Sequence, residues 1–138
     1  MKDTLQVGLT TTARITVDTD RTISFMGDEG RVYATPAVVR DVEMTCRNLL
    51  LQRVDPGEDS VGTRVEIDHL AATPLGLWVD ITATVVDVAG RRVTLEFSVR
   101  DPVEEVARGR HGRFVVATAK TVERLRDKVA KAKQAMGG

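Results

Sequence analysis

The chain has 138 residues, 42% hydrophobic and 29% charged, and its 20 basic and 20 acidic side chains give zero formal net charge. That length suits one domain with a packed core, and the charge balance lacks the basic excess of a dedicated nucleic-acid binder. A lone cysteine, Cys46, excludes an internal disulfide and offers no zinc spacing, the opening "MKDTLQVGLT" has no signal core, and no apolar run nears the ~18 residues of a spanning helix. The expectation is a single cytoplasmic domain over 1–138, without metal, nucleic-acid or membrane partners.

In chain order, "VGLTTTARITVDTD" reads as a strand with Ala13, Ile15 and Val17 on one face. Gly27 and Gly30 mark a loop, and a short alternating piece follows at Val32 to Ala34. "TPAVVRDVEMTCRNLLLQRV" then reads as a helix. Thr35 fits as its N-cap and Pro36 as its first helical residue. Val38, Val39, Val42, Cys46, Leu49 and Leu50 recur at helical spacing, a stripe broad enough to require burial.

Turn residues in "DPGEDSVG" end that helix, and four strands are predicted after it: Val61 to Ala72, Leu77 to Val88, Arg92 to Arg100, and about Glu104 to Thr118. Gly109 and Gly112 interrupt the last of them and suggest a bulge or a close backbone approach. Val122, Leu125, Val129 and Ala132 place an amphipathic helix at about 121–136. A long buried helix followed by a meander predicts an α+β fold, an antiparallel sheet wrapped around the helix, with a second helix at the C-terminus. One sheet layer does not fully cover so broad a stripe, so a second copy extending the sheet as a homodimer is expected.

Three side chains sit where apolar residues are expected or where chemistry is possible. Glu43 borders the helix stripe beside Val39, Cys46 and Leu50. It reads either as a carboxylate reaching solvent or Arg40 or Arg47, or as a partly desolvated base or nucleophile. His69 is in phase with Val65, Ile67 and Ala71, and reads either as a hydrogen-bonded core residue or as an acid–base catalyst. Thr35 is explained by capping, although a helix start also offers free N–H groups to an anion or carbonyl. Arg108, Arg110, His111 and Arg113 crowd the last strand. A solvated face explains Arg108 and Arg110, and the alternative is contact with phosphate or a carboxylate. No nucleophile elbow or Gly-rich phosphate loop is present, and Cys46 reads as a packing residue.

Two stretches, "YATPAVVRDVEMTC" and "PGEDSVGTRVEIDHLAATPLGLWVDITATV", the "GRR" turn and the Gly-x-His-x-Arg pattern in "GRHGR" resemble the fluoroacetyl-CoA thioesterase family of hot-dog-fold enzymes. The likeness runs from about Tyr33 to Val116. It implies a hot-dog homodimer that hydrolyses acyl-CoA thioesters without a cofactor other than the CoA of its substrate. The family's Thr–Glu–His set falls on Thr35, Glu43 and His69, and its supporting glycine and arginine on Gly62 and Arg113, which implies oxyanion or substrate-binding roles for the latter two. In the family's fluoroacetyl-specific member a longer segment precedes the threonine and carries a phenylalanine lid. Here "SFMGDEGRVY" is shorter and has only Phe25 and Tyr33 as partial substitutes, so the expected substrate is a small or medium acyl-CoA. The alternatives within reach of this fold are an enoyl-CoA hydratase or dehydratase, and a non-catalytic acyl-CoA-binding module.

Overall fold

The computed structural model describes residues 1–137. Strand β1 (Thr10–Thr16) is followed by the short strands β2 (Thr22–Ile23) and β3 (Val32–Tyr33). Helix α1 (Thr35–Leu51) comes next, then β4 (Glu58–His69), β5 (Trp78–Ala89), β6 (Arg92–Arg100), β7 (Glu105–Ala117) and helix α2 (Thr118–Ala135). Five strands form one antiparallel sheet in the order β1–β5–β6–β7–β4, and β2 pairs only with β3.

The sheet curls around α1 because every strand offers it an apolar face. Val79, Ile81, Ala83 and Val85 of β5 and Val93, Leu95, Phe97 and Val99 of β6 are buried against Val38, Val42, Cys46, Leu49 and Leu50. Each such aliphatic side chain contributes about 1.5–3 kcal/mol of burial. Val39 of the expected stripe is only half-buried. The β5–β6 hairpin closes at Gly90 and Arg91, where Gly90 takes φ 61°, the left-handed conformation a two-residue hairpin loop demands.

Three expectations are revised. Strand β4 begins and ends three residues earlier than the alternation suggests, because the chain bends after His69 so that the Thr73 carbonyl can accept from the Tyr33 N–H at 2.8 Å. Thr35 is not the N-cap of α1: Ala34 holds that position, without a side-chain cap bond, and Thr35 is the first helical residue. The C-terminal helix starts at Thr118, and none of its residues is buried; Val122, Leu125 and Val129 all face solvent. No helix among the described residues is long and apolar enough to cross a membrane.

The bulge anticipated around Gly109 and Gly112 lies instead on the facing strand. The β4–β7 register shifts between Gly62 and Arg64, so Thr63 is the extra residue. The shift reverses the alternation of β4. Downstream of it Val65, Ile67 and His69 are half-buried, whereas upstream Ser60 is buried and Val61 is exposed. Both glycines do mark close approach: a Cβ on Gly109 would lie 1.8 Å from the Glu66 carbonyl oxygen, and one on Gly112 would lie 3.0 Å from Thr63 Oγ1.

Candidate active site

His69 is the last residue of β4, held against β7 by pairing with Ala107 and by the Leu70 N–H, which donates to the Val106 carbonyl at 2.8 Å. Its Nδ1 lies 2.8 Å from Thr35 Oγ1. Thr35 is free for this contact because its hydroxyl caps nothing. It is aimed by the β2–β3 hairpin, where the Ala34 N–H donates to the Arg21 carbonyl at 2.9 Å and Arg21 and Tyr33 both donate to the buried carboxylate of Asp41 on α1. The other imidazole nitrogen, Nε2, is buried and has no hydrogen-bond partner. Desolvation holds the His69 pKa below its usual value, which favours a neutral ring able to accept a proton. A recess of about 360 Å³ opens beside the pair, walled by Ile23, Val32, Ala34 and Ala71.

Glu43 projects from α1 toward a second cluster. A Cβ built on Gly62 would lie 3.1 Å from Glu43 Oε1 and 3.2 Å from His111 Cε1, so the bare glycine is what lets the carboxylate and the imidazole edge approach. Arg113 lies 4% exposed behind them. Its Nε donates to Ser60 Oγ at 2.7 Å, its Nη2 to the Ser60 carbonyl at 2.6 Å, and its Nη1 lies 3.1 Å from His111 Nε2. Burial pulls the Arg113 pKa down, and the nearby Glu43 carboxylate opposes that shift. With three of its donors bound inside the fold and only 4% of its surface exposed, Arg113 sits near a carboxylate rather than a solvent-borne phosphate. Arg108 and Arg110 are exposed and meet Glu105 and Glu96, as a solvated strand face requires. Cys46 is fully buried, and desolvation pushes its thiol up to about 12, consistent with packing.

The candidate residues therefore form two separate clusters in the chain, Thr35 with His69 and Glu43 with Gly62, His111 and Arg113. Thr35 and Glu43 are eight residues apart on α1, roughly 12 Å along the axis, and Gly62 and His69 are separated by roughly 20 Å of strand. His111 and Ser60 were not assigned to the site from the sequence. Ser60 faces inward only because of the bulge, whereas His111 was visible as the middle of "GRHGR". A recess of about 660 Å³ lined by Thr63, Arg64, Arg92, Arg110 and Gly112 is on the opposite face of the sheet, on the same strands as Gly62, His111 and Arg113. Among the described residues no group of three or more His, Cys, Asp or Glu side chains is arranged to hold a metal ion.

A curled antiparallel sheet around a central helix places the chain in the class of hot-dog-fold proteins. The sequence profile of the fluoroacetyl-CoA-specific thioesterase family matches residues 17–119. The fluoroacetyl-CoA thioesterase of Streptantibioticus cattleyicolor is 34% identical, covering 93% of this chain and 97% of its own. A solved structure of the fluoroacetyl-CoA thioesterase FlK superposes with a TM-score of 0.82 at 34% identity, covering 90% of this chain and 97% of that one. A hot-dog-like protein from Thermanaerovibrio acidaminovorans gives 0.82 at 30% identity, over 88% and 91% of the two chains. The chain belongs to the fluoroacetyl-CoA thioesterase family.

Proposed function

We propose that the protein hydrolyses small or medium acyl-CoA thioesters in a site assembled from two copies of the chain. The observation that carries this is the separation of the two clusters along an edge strand. β4 is the last strand of the sheet, with one side unpaired along its length, and such an edge is a template for pairing. Antiparallel pairing of two β4 strands about a twofold axis near Val65 and Glu66 brings His69 of the partner subunit opposite Gly62 and Glu43 of the first. It also gives the sheet the second half that the broad stripe of α1 calls for.

In that site Glu43 takes a proton from water, whose oxygen adds to the thioester carbon. Backbone N–H groups at Gly62 and in the first turn of α1 receive the oxyanion; one such donor typically contributes ~3–4 kcal/mol. Collapse breaks the C–S bond, and the neutral His69, oriented by Thr35, relays through Nε2 to the departing CoA sulfur the proton that Glu43 took from water, which leaves Glu43 ionised again. Direct attack by Glu43, giving a mixed anhydride that water then opens, uses the same residues. Arg113 supplies fixed positive charge beside the carboxylate.

The acyl group is read as small or medium and not specifically fluoroacetyl. Tyr33 is 1% exposed with its hydroxyl bound to Asp41, so it does not cover the site, and Phe25 is 87% exposed. A panel of acyl-CoAs assayed for free thiol tests the reading. The wild type releases thiol, and Glu43→Ala loses activity by roughly a hundredfold or more with fold and oligomeric state retained. Near wild-type turnover by that variant contradicts the assignment, and consumption of an enoyl-CoA without thiol release indicates a hydratase.

A further inference from the structure

We propose that His111 is a positioning residue of the hydrolytic site, a neutral imidazole protonated on Nδ1 whose Nε2 is the fixed acceptor that holds the Arg113 guanidinium beside Glu43. The inference rests on the thioesterase reading above for its function and on geometry for its chemistry. His111 is fully buried. Its Nδ1 lies 2.8 Å from the Arg64 carbonyl, which can only accept, so Nδ1 carries a proton. Its Nε2 lies 3.1 Å from Arg113 Nη1, and a guanidinium can only donate, so Nε2 does not. Two independent bonds specify the same tautomer.

The surroundings keep it so. On its own strand the ring faces Arg113, from β4 it meets the Arg64 carbonyl and Gly62, and from α1 it faces Glu43; Cys46 and Arg47 of α1 and Asp59 of β4 act on the Arg113 charge behind it. Burial pushes the His111 pKa down. Protonation would remove the acceptor and set a second cation against Arg113. With Nε on Ser60 Oγ, Nη2 on the Ser60 carbonyl and Nη1 on His111, the guanidinium is held on three sides and acts on Glu43 through space. Removing the imidazole acceptor frees one arm of that grip.

Long-range ¹H–¹⁵N correlation of the wild-type protein at neutral pH should show His111 with a protonated Nδ1 and a bare Nε2; the opposite tautomer or an imidazolium overturns the proposal. In steady-state assays, His111→Leu should lower kcat roughly tenfold to a hundredfold with little change in KM, the size of effect expected from a loosened reacting group. His111→Gln, whose amide oxygen reaches the Nε2 position, should restore kcat to within about threefold of wild type. Wild-type kcat in the leucine variant, or a glutamine variant no better than leucine, overturns the positioning role. If the leucine variant does not fold, the glutamine kcat and the wild-type tautomer decide. A wild type that releases no thiol from any acyl-CoA overturns the hydrolase reading instead, and the tautomer then stands or falls alone as evidence for the acceptor.

Discussion

Thr35 Oγ1 and His69 Nδ1 are 2.8 Å apart on a contact that serves no structural need. The threonine is exposed, it is the first helical residue and not the cap, and α1 begins without its hydroxyl. The bond therefore orients an imidazole whose other nitrogen is buried and unpartnered. Thr35→Val keeps the shape and removes the bond. It should lower kcat about tenfold, the equivalent of one orienting hydrogen bond, and change unfolding free energy by less than about 0.5 kcal/mol. Thr35→Ser should retain activity. A valine variant that loses stability but keeps kcat would return the hydroxyl to a structural role. The local pattern marked Thr35 as a cap, because a Thr–Pro pair at a helix start satisfies that pattern whichever residue takes the non-helical backbone angles, and only the family resemblance placed it with Glu43 and His69.

At the scale of elements, β5 and β6 were legible because each has one face on the helix and the other toward solvent, so Val79 to Val85 and Val93 to Val99 alternate cleanly. The stripe of α1 was legible for the same reason at a different period. The bulge at Thr63 was not, since it is a mismatch between two strands about fifty residues apart in sequence and leaves no local mark on either. Gly109 and Gly112 did signal that something passes close by. The close approach at Gly109 is strict: an added Cβ falls 1.8 Å from the Glu66 carbonyl oxygen and 2.9 Å from Phe97 Cζ. Gly109→Ala should therefore destabilise the fold by about 3 kcal/mol, read as a lower urea midpoint; an unchanged midpoint would mean that β4 and β7 separate there without cost. The stripe on α2 shows the converse limit, because periodicity announces an amphipathic helix without saying what covers it.

For the whole molecule, the site residues expected from the sequence, with His111 added by the structure, divide between the two ends of one edge strand. Thr35 and His69 lie at one end; Glu43, Gly62, His111 and Arg113 lie at the other. Sequence spacing could not reveal this division, because it records the order of residues and not where along a folded strand or helix each one falls. Hydrolysis that requires Glu43 from one copy and His69 from another is revealed by complementation between two variants. Glu43→Ala and His69→Ala chains, each inactive alone, are unfolded together, refolded and assayed for thiol release. If sites form across the twofold axis, half of the randomly paired dimers are mixed and each mixed dimer contains one intact site, so activity should return to about a quarter of wild type. If each site is built within one chain, every site in the mixture carries a mutation, and absence of any recovery from demonstrably mixed dimers would rule out a site shared between two copies.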